Sequence, residues 1–517
     1  MMDPSRSSAA PQISKSAWAS VHGLFLERVR SRPDAIAIQY GDTTLSYADL
    51  SRRACQLAAV FRARGLKPGD RVAILSENRP EYIEAELAAA MTGVILACQN
   101  WRLARDELKH CLELVDPSLA LVSANCLDGF QQARPDALPH MTFGPDYETT
   151  LTGVKAGEPI DDLDPESGLL ILYTSGTTGL PKGALISHRA EVARMSAFHS
   201  DTGVRPGDAF VAWAPMFHMA SSDQMLATLM SGGRVIVLDG PDVGAIADAV
   251  EHHRLGWLVM MPGPIAALIE ELRKRAPIKT DIACVGAMAD LVPRHEITEL
   301  SALLNAPYVN SFGSTETGLP PGTGAMIAPG SSDFTLDKRI STLCQIRLLG
   351  ADGNDVPDGD PGEMAVRGPT LFSGYWAAEA TNSSDFAGGW FRLGDLFRRN
   401  ADGSVSFVDR VKYMIKSGGE NIYPAEIERV LLADPRIQEA AVVKRPDPKW
   451  GEVPVAVVAA SHSLEFSDIK ALCRASLAGY KTPKSLYQIP IEDFPRSTSG
   501  KVQRHLLESA LATLTAS

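Results

Sequence analysis

The sequence is short of the features that mark several large classes of protein. It holds seven cysteines in 517 residues, Cys55, Cys98, Cys111, Cys126, Cys284, Cys344 and Cys473, and no two of them form a CxxC pair. Thiols scattered in this way exclude a disulfide scaffold or a zinc ribbon and fit a reducing compartment. A long apolar run is also missing: near the N-terminus the longest, 87–98, is too short to span a bilayer. No basic-then-apolar leader opens the chain, so we expect a soluble, cytoplasmic protein without an integral membrane segment. Nor is there a surplus of positive charge. Fifty basic residues stand against 62 acidic ones, a net charge of −12, which argues against a nucleic-acid partner. Any anionic substrate must then be met by local positive charge.

What is present is an ordinary globular composition, 45% hydrophobic and 22% charged. A chain of this length exceeds what one hydrophobic core usually holds, so at least two domains are expected. The Ser- and Ala-rich opening, 1–16, reads as a disordered tail. From 17 to 124 helix-like and strand-like pieces alternate: helices over 18–30 and 49–64, strands over 35–40 and 71–75. Such alternation argues for a layered α/β domain.

The most informative stretch is Tyr173-Thr174-Ser175-Gly176-Thr177-Thr178-Gly179-Leu180-Pro181-Lys182-Gly183, directly after the apolar Leu169-Leu170-Ile171-Leu172. An apolar run that breaks into hydroxyls and glycines reads as a buried strand delivering a loop whose N–H groups can wrap a polyanion. It departs from the Walker pattern, because Pro181 precedes Lys182 and Gly183 follows it, so no helix starts tightly on the phosphates. Ser187 is a candidate N-cap for a helix to about 198.

Further along, Ala214-Pro215-Met216-Phe217-His218-Met219 enters a stretch in which Asp223 is the only charged residue from 211 to 230. Met216, Met219, Met225, Met230, Met260, Met261 and Met288 cluster here and either line an acyl pocket or fill the core. Two strands, over 282–285 and 308–310, open into Gly286-Ala287-Met288 and Ser311-Phe312-Gly313-Ser314-Thr315-Glu316-Thr317-Gly318. Open α/β sheets bind ligands at such strand ends. From about 362 short strands take over, with Leu393-Gly394-Asp395 in the middle and a hairpin at Asp402-Gly403. After Asp409-Arg410-Val411-Lys412 comes Ile415-Lys416-Ser417-Gly418-Gly419-Glu420-Asn421-Ile422-Tyr423-Pro424, and Pro424 signals a helix start. Strands over 439–444 and 453–460, a helix over 467–478 and a polar tail follow. The tail carries Phe494-Pro495-Arg496-Ser497-Thr498-Ser499-Gly500-Lys501-Val502-Gln503-Arg504.

Together and in this order, these stretches resemble the adenylate-forming superfamily of acyl-CoA synthetases, firefly luciferases and peptide-synthetase adenylation domains, and most closely the acyl-CoA synthetases. The resemblance covers about 46–504. It implies an α/β protein: a large N-terminal ATP- and acyl-binding domain over 17–409, with layered sheets and a small β-rich subdomain, and a small mobile α+β domain over 410–517 hinged at 409–412. It implies an AMP-forming carboxylate–CoA ligase that uses ATP, Mg²⁺ and CoA, with acyl-adenylate loading of a carrier protein as the alternative. A small-molecule carboxylic acid, ATP and CoA would be the partners, and the chain a monomer or homodimer.

Residue by residue, the resemblance puts Thr174, Ser175, Gly176, Thr177, Thr178 and Lys182 on the phosphates. Gly286 and Ala287 lie on one side of the adenine and Phe312 with Gly313 on the other. Thr315 contacts the α-phosphate, Glu316 binds the Mg²⁺, Asp395 and Arg410 hold the ribose, and Lys501 bridges substrate carboxylate and α-phosphate. Thr174, His218, Glu316 and Lys501 form the catalytic set. Phe217, His218, Met219, Met288 and Gly318 face the acid, Ser417, Gly418, Gly419 and Glu420 line the CoA tunnel, and Lys412 is the pivot. The chain departs from the family pattern at Phe312, where Tyr is usual, at Leu393, where Thr is customary, and at Tyr413, where an acid is frequent. No Asp stands beside Phe217 to hold an α-ammonium, so amino acids are disfavoured; medium-chain, branched, alicyclic and aromatic acids fit, with a lean toward a fatty or cyclic one.

Overall fold

The computed structural model describes residues 15–134, 138–174, 180–275, 277, 280–418, 420–496 and 502–511. The expected tail over 1–16 therefore lies, up to residue 14, outside the described residues. The chain divides into two compact units: Met1–Ile346 with Val366–Trp390, and Arg347–Ala365 with Phe391–Ser517.

In the first unit two sheets carry the architecture. Among the described residues one sheet has six strands in the order His140–Thr142, Leu119–Val122, Arg71–Leu75, Ile95–Gln99, Gly168–Thr174, Lys182–Ser187. All its neighbours are parallel except the last pair. The other has eight, in the order Met326–Ile327, Tyr308–Val309, Ile282–Val285, Leu255–Leu258, Ala209–Ala212, Val235–Val237, Ile36–Tyr40, Thr43–Ser46. Parallel strands covered on both faces read as continuous apolar runs, which is why Leu119–Val122 and Ala209–Ala212 are buried throughout.

Helix starts follow side-chain caps more closely than apolar spacing does. Ser20 accepts from Gly23 N, so the first long helix is Val21–Ser31 and begins later than the expected 18; Ser46 accepts from Asp49 N, so the next, Tyr47–Ala63, begins earlier than the expected 49. Ser187 caps His188–Thr202 as expected, accepting from Ala190 N. The apolar run 87–98 is two elements, the end of helix Pro80–Thr92 and strand Ile95–Gln99, separated by Gly93 at φ 69°.

In the second unit, strands Ile437–Asp447 and Gly451–Ala460 form a long antiparallel hairpin. Its two faces are both buried: Ala440, Val442, Ala456 and Val458 pack with Ile427, Leu431 and Ile469, while Ala441, Val443, Val455 and Val457 pack with Tyr487 and Leu507. Pro424 opens helix Pro424–Leu431 at its first turn. The expected polar tail is corrected here. Leu486–Gln488 adds a parallel strand to the hairpin, and helix Arg504–Ala510 covers it through Leu507, 2% exposed. One buried leucine in a polar helix is too sparse a pattern to read locally. The β-rich strands Trp390–Arg399 and Val405–Arg410 form the expected hairpin, and residues 391–410 group with the C-terminal elements.

Candidate active site

The phosphate-loop stretch is a β-hairpin. Strand Gly168–Thr174 pairs antiparallel with Lys182–Ser187, setting Thr174 directly opposite Lys182 and Tyr173 opposite Gly183. Ser175, Gly176, Thr177 and Thr178 lie outside the described residues. Beyond the hairpin the chain continues as strand and only then as helix, so no helix begins on Lys182.

Lys182 leads to a residue that sequence reading missed. Its ammonium lies 4.1 Å from the ring centroid of Tyr375, over the negative face of the aromatic. The Tyr375 hydroxyl donates to Glu316 Oε1 at 2.7 Å, and Asn382 Oδ1 accepts from Tyr375 N at 2.8 Å. Phe372 N donates to Glu316 O at 2.8 Å and Trp376 N to Gly183 O at 2.7 Å. Tyr375 thus stands between the lysine of the hairpin and the carboxylate assigned to magnesium, fixing both. The Gly374-Tyr375-Trp376 triplet was its only local signal.

The magnesium assignment fits these surroundings. Mg²⁺ takes hard oxygen ligands and keeps several waters, so one carboxylate joined by phosphate oxygens suffices. Tyr375 binds Glu316 through Oε1 alone, which orients the carboxylate without consuming both oxygens. Among the described residues no group of three or more His, Cys, Asp or Glu is placed to hold a metal ion by itself.

The turns assigned to adenine are tightly held. Gly286 sits at φ +80°, and a Cβ there would lie 2.1 Å from the Tyr308 ring. Its carbonyl accepts from Trp257 Nε1 at 2.8 Å, the Tyr308 hydroxyl donates to Ala287 O at 3.0 Å, and Met288 N donates to Ser311 Oγ at 3.0 Å. Phe312 pairs with Gly322 through two backbone bonds, and a Cβ on Gly313 would lie 2.1 Å from Gly318 O. Gly286→Ala is therefore expected to cost about 3 kcal/mol, from overlap with Tyr308 plus a left-handed backbone. It should also weaken AMP binding; calorimetric unfolding and AMP titration check both effects.

Arg194 is the second residue missed. On helix His188–Thr202 its i−3 partner Glu191 suggests a solvated charged face. Instead Arg194 is 2% exposed, donating to Asp223 Oδ2 at 3.1 Å, Thr315 O at 3.0 Å and Thr370 O at 3.0 Å. It anchors the backbone of the residue assigned to the α-phosphate. Gly318 is buried against the Arg194 stem, 2.7 Å from where its Cβ would be, so no larger residue fits. Glu86 and Glu191 share this interior, and burial raises both carboxyls well above the usual range. Burial also raises Asp223, and Arg194 pulls it back. Asp223 thus meets the guanidinium through Oδ2.

His218 caps helix Met219–Ser231, its Nδ1 accepting from Ala220 N at 3.2 Å. That bond assigns the proton to Nε2, which makes the outer nitrogen of the neutral ring a donor. The segment before it hangs on buried Asn78, whose Nδ2 donates to Ala214 O at 2.8 Å and whose Oδ1 accepts from Met216 N at 2.9 Å. Phe217 and His218 are half-buried and Met219 is buried. Met216, Met225, Met230 and Met260 are core residues, while Met261 and Met288 are half-buried.

In the second unit Asp395 and Arg410 face each other across the hairpin and pair at 3.0 Å. Asp409, buried, accepts from Arg410 N at 2.6 Å and Ala425 N at 2.8 Å; burial pushes its carboxyl up to about 6. Lys412 is exposed in the short turn Val411–Tyr413, 4.9 Å from the Tyr413 ring, and Arg504 covers that ring at 4.4 Å. Tyr413, where the family often has an acid, is a platform for two cations. Gly418 has φ +60°, a Cβ there would lie 2.6 Å from Trp450, Ser417 is buried and Glu420 exposed. Gly419 and Lys501 lie outside the described residues; on either side of the Lys501 loop Arg496 and Val502 bridge antiparallel.

Comparison with known proteins identifies the family. The AMP-binding enzyme model matches residues 25–376, and the AMP-binding enzyme C-terminal domain model matches 426–501. A feruloyl-CoA synthase from Amycolatopsis sp. is 34% identical over 92% of this chain and 96% of its own length. An indoleacetate–CoA ligase from Aromatoleum aromaticum is 33% identical over 93% of this chain and 96% of its own. The solved o-succinylbenzoate CoA synthetase from Bacillus subtilis, in complex with its acyl-adenylate intermediate, superposes with a TM-score of 0.80 at 26% identity, covering 94% of this chain and 97% of that one. The chain belongs to the AMP-binding enzyme family, as an acyl-CoA synthetase of the adenylate-forming superfamily. Among the described residues no helix is long and apolar enough to cross a membrane.

Proposed function

We propose that the acid activated by this enzyme is an aromatic carboxylate. The overall reaction is that of an AMP-forming acid–thiol ligase, with ATP, magnesium and CoA as its small-molecule requirements and loading of a carrier protein not favoured. The observation that carries the aromatic choice is the chemistry of the relatives, named for feruloyl and indoleacetate at 34% and 33% identity over nearly the whole chain. The one charged residue of 211–230, Asp223, is paired through Oδ2 with Arg194, which agrees with an apolar acid pocket. Of the lean toward a fatty or cyclic acid, this reading keeps the cyclic part.

In the first half-reaction a carboxylate oxygen attacks the α-phosphorus of ATP and pyrophosphate leaves, giving acyl-AMP. In the second the CoA thiol, losing its proton, attacks the acyl carbon and AMP leaves. Positioning and electrostatics dominate both steps. Lys182 and the Thr174–Thr178 loop hold the phosphates, Thr315 steadies the α-phosphate, and Glu316, oriented by Tyr375, holds the magnesium, which neutralises phosphate charge when bound. Gly286, Ala287, Phe312 and Gly313 take the adenine; Asp395 and Arg410 take the ribose. His218 donates from Nε2 to the acid's carboxylate beside Phe217, Met219, Met288 and Gly318. Lys501 places a positive charge between carboxylate and α-phosphate. Rotation about Lys412 then withdraws Lys501 and brings Ser417 to Glu420 to the CoA channel. We place the enzyme in the cytoplasm, where its seven cysteines, all free, stay reduced, as a monomer or homodimer.

The test is kcat/KM with ATP, magnesium and CoA over hydroxycinnamic, indoleacetic, substituted benzoic and straight-chain acids. An aromatic acid should exceed a straight-chain acid of equal carbon number by about 100-fold, the scale on which a shaped apolar pocket discriminates. A straight-chain acid as best substrate contradicts the choice.

A further inference from the structure

Lys338 is 0% exposed, an uncommon place for an ammonium group. It lies outside every motif that the sequence singles out and every residue used above. Its Nζ donates both to Asp290 Oδ2 and to Asn310 Oδ1. Those acceptors belong to two loops of particular interest. Asp290 sits in the single turn Ala289–Leu291, directly after Gly286-Ala287-Met288, and Asn310 directly precedes Ser311-Phe312-Gly313. Both turns are assigned to the adenine, one on each side.

The rest of the connection is equally specific. Asn310 is 1% exposed; its Nδ2 donates to Asp337 O at 2.9 Å, next in the chain to Lys338, and its N to Ala325 O at 3.1 Å. The amide is therefore oriented with its oxygen toward the ammonium. The Lys338 stem also reaches the adenine wall: a Cβ on Gly322 would lie 3.3 Å from Lys338 Cβ and 3.1 Å from Phe312 Cβ, and Gly322 is the residue paired to Phe312 through the backbone. One side chain thus ties the first turn, the second turn and the segment at Gly322 behind Phe312. Desolvation lowers the ammonium's affinity for its proton, and the Asp290 carboxylate and then Asp337 oppose that.

We infer that Lys338 is a positioning residue for the nucleotide, a buried cation that sets the spacing between the Gly286–Met288 turn and the Ser311–Gly313 turn and so the width of the adenine slot. This rests on the proposed placement of the adenine between Gly286-Ala287 and Phe312. The role predicts a selective defect. Without the bridge the turns separate or close, and the base loses contact while the CoA site keeps its own.

The test uses the full-length enzyme with Lys338→Met, which keeps the stem and removes the charge, and Asp290→Asn, which removes the counter-charge at a side chain 28% exposed. AMP affinity is read by calorimetry, and KM is measured separately for ATP, acid and CoA. Both variants should raise the AMP Kd and the KM for ATP about tenfold, as expected for breaking a buried charged hydrogen bond, with the KM for CoA within about twofold and the KM for the acid, which Met288 of the first turn faces, changing less than that for ATP. If Lys338→Met yields no soluble protein, Asp290→Asn decides alone. Equal changes in all three KM values, or a lowered unfolding temperature with AMP affinity unchanged, overturn the inference as a purely structural role. Phe312→Ala separates the two layers of the argument. Weakened AMP binding there with normal binding in the Lys338 and Asp290 variants removes only the role of Lys338, whereas unchanged AMP binding in Phe312→Ala removes the adenine placement itself.

Discussion

Replacing Lys501 with alanine is expected to lower acyl-AMP formation by about 10²–10³-fold, the loss typical of removing one preorganised charge from a charge-developing transition state. The physical reason is repulsion: a carboxylate approaching the α-phosphate brings two anions together, and a chain with net charge −12 offers no general positive field to relieve it. Relief has to be local. Lys182, over Tyr375, is assigned to the phosphates, and Arg194 is buried against Asp223, Thr315 and Thr370, which leaves the bridging charge to the proposed Lys501. Thioester formation from preformed acyl-AMP and CoA needs no such relief, because the repulsion has been overcome before it begins. In Lys501→Ala it should fall less than about fivefold. The two half-reactions are measured by pyrophosphate release and by acyl-CoA formation from synthetic acyl-AMP. An equal loss in both contradicts the division of labour.

The opposite pattern is expected of Lys412→Pro. Lys412 lies in the turn Val411–Tyr413, where the chain leaves Arg410 at φ −91°, ψ 138°. Proline there fixes its own φ and pushes Val411 away from the helical region, so the backbone torsions about which the C-terminal unit would turn are restricted. Adenylation should survive, and the CoA step should slow by about 10²-fold, the cost of misplaced reacting groups. Single-turnover assays of each half-reaction check this. Normal thioester formation in the proline variant removes Lys412 from the role of pivot.

The extent to which this could be read from the sequence depended on how local each signal is. Strand ends that open into small-residue turns announce themselves, so 282–285 before Gly286-Ala287 and 308–310, one residue longer than the strand Tyr308–Val309, were legible, as were the Ser187 cap and the Pro424 helix start. The adenylate-forming resemblance and the ligase activity it implies were legible from the motifs taken together. Contacts between distant parts of the chain were not. Tyr375 reaches Glu316 across 59 positions, Lys338 reaches Asp290 across 48, and Arg194 reaches the Thr370 carbonyl across 176. Each of these carries its meaning in burial or in a partner that no local pattern names. Charged residues such as Glu191 and Arg194 on one helix read as a solvated face, and only the fold shows them inside. The same limit hid the C-terminal strand Leu486–Gln488, which sends Leu486 to one face of the hairpin sheet and Tyr487 to the other, and the helix Arg504–Ala510, which buries only Leu507 against it.

The central claim is that this chain joins a carboxylate to AMP before any thiol is involved. Exchange of labelled pyrophosphate into ATP, with magnesium and an aromatic acid but without CoA, measures that step alone. The account predicts exchange that requires the acid and disappears in Lys501→Ala. Label incorporation that occurs only after CoA is added, or none with any carboxylic acid offered, would contradict it.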